Sequence, residues 1–450
     1  MYSDKVLRVL KRKKIDIGDR IQITKDNKTF EGILMPRIEM GDRDSLVLKL
    51  DNGYNIGIKF EPSVEIKKIK TEWFIKGSKG KEVETIIFDD KLPTISIIGT
   101  GGTIASKIDY RTGGVYASFS AKDIVTQIPE LKEIANIKAK QIMSIMSEDM
   151  TPERWKGVAK AIGSEVNSGV KGVIVVHGTD TLHYTAAALS FMLRNLPCPI
   201  ALVGAQRSSD RGSSDTVMNV SCAVNFVANS DVAEVCIVMH GSMSDDYCLA
   251  IRGTKVRKMH TSRRDAFKAV NDIPIAKIYW KDKKIEIINN NFRKRSKGKV
   301  RVDDKIEQRV ALIRFYPGLD PEIFDYYLKK KYIGFVIEGT GLGHTPTLGK
   351  HSFLPKIEKI IKKGIPIIMT SQCLYGRVHP TIYHNLRELS KRGVIFAEDM
   401  LPEVAYIKLL WILGHTRKMD KVREMMLTNY AGEITERTEV ITGNDEDGEY

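Results

Sequence analysis

The sequence predicts an α/β protein with a small β-barrel in front: an SH3-like or OB-like barrel over residues 1–80, a doubly wound parallel sheet over 93–285, a smaller α/β unit over 300–430, and an acidic tail over 431–450. Three observations carry that reading. Short alternating runs separated by turn residues fill positions 15–69. From Pro93 onward, apolar runs too short for helices end in glycines and are followed by helical patterns. That is the signature of buried parallel strands with crossover helices. The pattern then dissolves near 275–299 and restarts at Val310.

Taken in order, the runs 19–24, 29–35, 45–50 and 54–59 alternate apolar and polar residues, and Asp51-Asn52-Gly53 is a hairpin signal. A charged linker at 77–92 leads into the α/β part. There the expected strands are 95–98, 172–176, 200–203 and 234–239, with helical patterns at 184–194 and 215–228. Residues 275–299 read as a basic, Asn-rich connector. Strands at 310–315, 334–338, 366–370 and 394–397 make up the second unit, and helices at 402–413 and 420–429 end it.

Composition narrows the classes. A hydrophobic share of 42% and a charged share of 28% are those of an ordinary globular protein. No apolar stretch approaches the roughly 18–20 residues that span a bilayer, and residues 1–14 are basic without the apolar segment of a secretory signal. The expectation is a cytoplasmic protein with no membrane contact. Cys198, Cys222, Cys236, Cys248 and Cys373 are too scattered for a zinc site or a disulfide framework. The net charge of +15 suits nucleic acid or an acidic partner. Basic clusters stand at 11–14, 67–70, 281–284 and 293–299, each also readable as solvated surface.

The chemistry concentrates in two loops. Thr100-Gly101-Gly102-Thr103-Ile104-Ala105 closes one apolar run, and His177-Gly178-Thr179-Asp180-Thr181 closes another. The first lacks the lysine of a phosphate loop, and Ile104 stands where a dinucleotide fingerprint needs Gly or Ala. As a nucleophile loop it fits, since Gly101 and Gly102 present Thr103 on a turn; capping the next segment is the alternative. A threonine hydroxyl needs an activating base. Asp180 either charge-balances a lysine or caps the following helix. That lysine comes from the loop 252–261, where position alone does not choose Lys258 over Lys255. A lysine desolvated in a closed site loses basicity enough to accept a proton. Ser147-Glu148-Asp149 either binds the charged ends of a small amino acid or caps the helix beginning at Thr151.

With those residues in view, the two threonine loops resemble those of the bacterial-type L-asparaginases. The similarity spans about 93–430 and includes Ala397-Glu398-Asp399-Met400-Leu401-Pro402-Glu403. With the N-terminal barrel, the chain is similar to the D-subunit family of the archaeal glutamyl-tRNA(Gln) amidotransferases. This resemblance implies an asparaginase-like pair of α/β domains. It implies Thr103 and Thr179 as the catalytic threonines, Asp180 and Lys258 as the proton-transfer partners, and Tyr116 as a mobile tyrosine over the nucleophile. Substrate would be held by Ser147, Glu148 and Gly102, with Glu148 standing where many bacterial asparaginases have glutamine. Glutamine or asparagine would be the amide donor and ammonia the product. No metal or other cofactor is expected in this chain. ATP and Mg²⁺ are implied for a partner subunit that binds Glu-tRNA(Gln), with tRNA held mainly through that partner and a homodimer of this chain inside a larger hetero-oligomer. The rivals are a stand-alone cytoplasmic L-asparaginase and a non-catalytic tRNA-binding scaffold.

Overall fold

A computed structural model describes residues 2–35, 42–50, 55–69, 84–101, 106–108, 115–117, 128–207 and 214–437. The N-terminal module begins with a helix absent from the sequence reading, α1 (Asp4–Arg12), where Ser3 Oγ accepts from the Val6 N–H at 3.4 Å. Val6 and Leu10, one turn apart, bury its single apolar stripe. Strands β1 (Arg20–Lys25), β2 (Lys28–Leu34), β3 (Ser45–Lys49), β4 (Asn55–Lys59) and β5 (Glu65–Lys68) follow. They form an antiparallel sheet in the order β4-β3-β2-β1-β5. Asp26 and Asn27 both take positive φ, 50° and 61°, as a tight two-residue hairpin requires. The expected turn at Asp51-Asn52-Gly53 lies outside the described residues, but β3 and β4 pair across it from Lys49 opposite Asn55. Ile21, Ile23, Leu34, Leu46, Leu48 and Ile66 join Val6 and Leu10 in a core of their own.

The large sheet has nine strands and is mixed rather than parallel, which corrects the expectation. Its order is β19-β18-β15-β14-β13-β11-β7-β10-β6. The parallel centre consists of β7 (Thr94–Gly101), β10 (Asn136–Ile145), β11 (Val173–Val176), β13 (Ile200–Val203) and β14 (Val235–His240). Beyond β14, β15 (Tyr247–Arg252), β18 (Ala276–Tyr279) and β19 (Ile285–Ile287) run antiparallel. The stretch read as a connector from 275 therefore carries two strands. At the other edge β6 (Glu84–Ile86), inside the stretch read as a linker, pairs antiparallel with β10. The hairpin β8 (Ser106–Ile108) and β9 (Val115–Ala117) stands apart, as does the pair β12 (Leu193–Arg194) and β20 (Arg301–Val302). So does the pair β16 (Val256–Lys258) and β17 (Phe267–Ala269).

Helices α2 (Pro152–Asn167), α3 (Leu182–Met192) and α4 (Thr216–Asn229) cover this sheet. Nearly every residue of α3 and α4 is buried, as expected of helices without a polar face. In the C-terminal unit β21 (Val310–Arg314), β22 (Gly334–Gly339), β23 (Ile367–Ser371) and β24 (Ile395–Phe396) pair in parallel in that order. The helices there are α5 (Ile323–Lys329), α6 (Leu354–Lys362), α7 (His384–Lys391), α8 (Pro402–Leu413) and α9 (Met419–Leu427). Phe324 packs edge-on against Phe335 and Phe353 in its core. Helix α8 packs on α3 of the large unit as well as on β22, so the two units share one apolar core. Among the described residues no helix is long and apolar enough to cross a membrane.

Candidate active site

Parallel strands bring two loops to one pole of the large sheet. Strands β7 and β11 lie side by side with Gly99 opposite Val176, and Thr100 Oγ1 donates to the Val176 carbonyl at 2.9 Å, tying the strand ends together. Gly101 has φ +119°, and a Cβ there would sit 2.2 Å from the Ile145 carbonyl oxygen. Only glycine suits that backbone. Gly102 and Thr103 lie outside the described residues. In the backbone pairing of β8 with β9, Lys107 is the register partner of Tyr116.

On the neighbouring loop His177 is buried at the end of β11. Its Nδ1 donates to the Gly178 carbonyl at 2.7 Å; Trp155 Nε1 donates to Thr185 Oγ1, which in turn donates to His177 Nε2 at 2.9 Å. Burial pushes this imidazole down to about 4, with the Gly178 hydrogen bond opposing. A base depressed in the folded state contributes stability above the unfolded value of about 6.5 and loses it as pH falls towards the folded value. His177 ring resonances should therefore titrate with a midpoint near 4, checked by NMR of imidazole-labelled protein. A midpoint near 6.5 would show that the ring is not sealed off.

Beyond His177, Thr179 is buried and Lys258 Nζ donates to its Oγ1 at 2.9 Å and to Asp180 Oδ1 at 2.7 Å. The Lys258 side chain is 10% exposed, that of Asp180 66%. Lys258 stands at the end of β16, held opposite Phe267 of β17. Lys255, three residues earlier, is turned into the protein, where its ammonium meets Asp399 Oδ2 at 2.5 Å with both side chains fully buried. Ser147 is buried below the same loop: the Asp180 N–H donates to its Oγ at 3.3 Å, and Thr181 Oγ1 donates to its carbonyl at 2.5 Å. A Cβ on Gly178 would lie 2.8 Å from the Ser147 Cβ, so glycine permits this approach.

Neither Asp180 nor the 147–149 turn acts as a helix cap. Helix α3 takes Thr181 as its N-cap residue and α2 takes Thr151, in both cases without a side-chain cap bond, while the Asp180 carboxylate is engaged by Lys258. Glu148 is exposed beside Ser147 in a short 3₁₀ turn.

Behind Lys258 lies a buried polar group that the sequence reading did not single out. Glu403, at the start of α8, has Arg257 Nε at 3.6 Å and His183 Nε2 at 3.9 Å. Burial lifts the Glu403 carboxyl above its usual range, with Arg257 opposing. Burial also pushes His183 down to about 3, with Arg257 and Lys258 acting the same way. The only sequence signals were neighbours in chain order, Arg257 before Lys258 and Glu403 at the end of the 397–403 stretch.

A threonine, an aspartate and a lysine converge at the carboxyl pole of an α/β sheet, beside a glycine loop. Fold and site together define the asparaginase class. Residues 94–293 match the family Asparaginase, N-terminal; residues 309–426 match the Glutaminase/Asparaginase C-terminal domain. Residues 15–69 match the GatD N-terminal domain. The chain is similar to solved L-asparaginases: that of Thermococcus kodakarensis (34% identity, TM-score 0.69, 76% of this chain and 99% of that one) and L-asparaginase I of Vibrio cholerae (28%, 0.66, 76% and 99%). It is 54% identical over 442 residues to the D-subunit of the glutamyl-tRNA(Gln) amidotransferase of Pyrococcus furiosus, covering 96% of this chain and 98% of that one. With its counterpart from Methanothermobacter thermautotrophicus it shares 47% identity over 442 residues, 98% of each. The chain belongs to the D-subunit family of the glutamyl-tRNA(Gln) amidotransferases.

Proposed function

We propose that this chain is the amide-hydrolysing subunit of a tRNA-dependent amidotransferase, releasing ammonia from glutamine or asparagine for the conversion of Glu-tRNA(Gln) to Gln-tRNA(Gln) on a partner subunit. The observation that carries the reading is the bridge of Lys258 Nζ to Thr179 Oγ1 and Asp180 Oδ1. In the proposed reaction the Thr103 oxygen attacks the side-chain carboxamide carbon. The hydroxyl proton passes to the Thr179–Lys258–Asp180 set, the C–N bond breaks, and the nitrogen leaves as ammonia after taking a proton. Water then hydrolyses the acyl ester on Thr103 and returns the acid. Backbone N–H groups of the glycine loop would stabilise the oxyanion, a contribution of about 2.7–4 kcal/mol per donor in other enzymes. Ser147, Glu148 and Gly102 are the proposed substrate contacts and Tyr116 the tyrosine over the nucleophile. ATP and Mg²⁺ would act on the partner, in the cytoplasm, with tRNA held mainly there.

Ammonia release from each amide, by the chain alone and with its partner and Glu-tRNA(Gln), tests this reading. Hydrolysis without any amidation in the reconstituted complex would favour a stand-alone asparaginase. The match of residues 15–69 speaks against that rival, because the asparaginase neighbours leave about a quarter of the chain uncovered. Deleting residues 1–80 is expected to spare the α/β fold, since the N-terminal core is separate. It should abolish tRNA-dependent amidation while ammonia release persists. Unchanged amidation by the truncated chain would remove the module from coupling. We further propose a homodimer, the commonest closed arrangement. Light scattering of the isolated chain should give about twice 50.7 kDa; a fully active monomer would refute it.

A further inference from the structure

Of the basic clusters in the sequence, those at 67–70 and 281–284 carry ion pairs among their described residues. Lys67 and Lys68 lie against Glu65 and Asp19, and Lys283 and Lys284 against Glu133 and Glu286. The cluster at 293–299 behaves differently. It forms a strap across the amino ends of the central strands, the pole opposite the threonine loops. The Ala233 N–H donates to the Arg293 carbonyl at 2.7 Å just before β14, and the Ser296 N–H donates to the Pro197 carbonyl at 3.2 Å just before β13. Asn167, at the end of α2, exchanges two hydrogen bonds with the Val300 backbone at 3.0 and 3.1 Å.

Arg295 is the clamp. Its guanidinium donates to the carbonyls of Ser230 at 2.6 Å, Lys171 at 2.5 Å and Val227 at 2.5 Å, so it closes the end of α4 and joins the strap to Lys171, two residues before β11. One arginine is thereby consumed in fixing the strap. Lys171, Lys294, Lys297 and Lys299 are left exposed, and among the described residues none has a carboxylate partner. Exposed Arg293 and Arg301 flank them, with Glu234 at 3.9 Å and Asp303 at 3.8 Å. The exposed anion beside this row is Asp231, whose carbonyl accepts from the Arg295 N–H. A fixed row of like charges with no partner carries a standing repulsion that a polyanion relieves, releasing its counterions as it binds. A short acidic peptide would meet one or two of these cations, whereas a phosphate backbone carries a charge at every nucleotide and can meet all of them.

We propose that this strap is a docking surface for the phosphate backbone of structured RNA, namely the tRNA of the proposed reaction. The proposal rests on the amidotransferase reading for the identity of that RNA. Binding at the amino pole leaves the carboxyl pole free, since four-residue strands such as β11 separate the two by roughly 13 Å.

The test uses the full chain and a tRNA transcript, with affinity measured by fluorescence anisotropy between low and moderate salt. Combining Lys294→Gln, Lys297→Gln and Lys299→Gln should lower the slope of log affinity against log salt by about two to three. Ammonia release from glutamine and the melting temperature should be unchanged. The control combines Lys329→Gln, Lys330→Gln and Lys331→Gln, which removes the same charge at the exposed end of α5 and should leave the slope intact. Equal slopes for wild type and strap variant, equal losses in both triple variants, or strap-dependent capture of an acidic protein with no RNA binding would each overturn the proposal. Strap-dependent RNA binding without amidation in the complex would instead uphold the surface and sink the amidotransferase reading.

Discussion

Thr103→Ala and Lys258→Ala are each expected to reduce ammonia release from glutamine by about 10²–10⁴-fold or more while leaving the melting temperature close to that of the wild type. Thr179→Val, which removes the hydroxyl and keeps the shape, should act in the same direction. Lys258 is the hinge of this expectation because it donates to Thr179 Oγ1 at 2.9 Å and Asp180 Oδ1 at 2.7 Å. Its loss strands no buried charge: the Asp180 side chain is 66% exposed and is solvated by water once the lysine is gone. The penalty therefore falls on the reaction and hardly on the fold. If Thr103 and Lys258 act on one step, the double variant should be little worse than the more damaged single variant. Steady-state rates and thermal melting of the four variants decide the matter. Activity within tenfold of wild type in a folded Lys258→Ala protein would remove the lysine from the chemistry.

Lys255→Ala should produce the opposite phenotype. Its ammonium and the Asp399 carboxylate face each other at 2.5 Å with no exposure at all. Asp399 also accepts from the Thr435 N–H at 3.0 Å and from the Thr435 hydroxyl, and its carbonyl accepts from Asn271 Nδ2 at 3.1 Å. One ion pair thus joins the residue before the hairpin carrying Lys258 to the 397–403 stretch and to Thr435. Burial draws the Lys255 ammonium below the usual lysine range even with Asp399 opposing, so desolvation outweighs attraction here. Breaking such a pair leaves an uncompensated buried charge and costs about 3–5 kcal/mol, a fall in melting temperature of about 4–7 °C for a cooperative unit of roughly 340 residues. Pairing Lys255→Met with Asp399→Leu should restore part of that loss, because two apolar residues strand no charge while the Thr435 N–H and hydroxyl lose their acceptor. The molecules that remain folded should retain far more activity than Lys258→Ala. A Lys255→Ala protein with unaltered melting, or one as inactive as Lys258→Ala, would contradict the division of labour between the two lysines.

Much of the fold was legible because burial leaves a period in the sequence. Apolar runs of four or five residues marked β11, β13 and β14, and the helical patterns after them marked α3 and α4. Elements with one wet face were harder to see. In β18 and β19 lysine and glutamate alternate with the apolar residues inside a basic stretch, and the mixture reads as a connector. Strand β6 is three residues long at a sheet edge, too short to show alternation. Helix α1 has only Val6 and Leu10 buried among many cations, so its signals were the Ser3 cap and that one pair.

By itself the sequence determined which residue types stand at the strand ends. A glycine turn, a threonine and an aspartate are local features, set by chain order and by what the backbone allows. Gly101 had to be glycine for its positive φ, and Ser147, Thr179 and Asp180 stand out as candidates by residue type and position alone. Position in the chain leaves the lysine open and the family resemblance points to Lys258, but what sets Lys258 apart from Lys255 physically is made only in the tertiary structure. Lys255 and Lys258 lie three residues apart on one loop, and nothing in chain order separates them. The pairing of β16 with β17 holds Lys258 at the Thr179 loop, while Lys255 enters a site whose counter-charge, Asp399, is 144 residues away. A buried ammonium is stable only where a carboxylate meets it, and that meeting is made by the packing of the C-terminal unit against the large sheet.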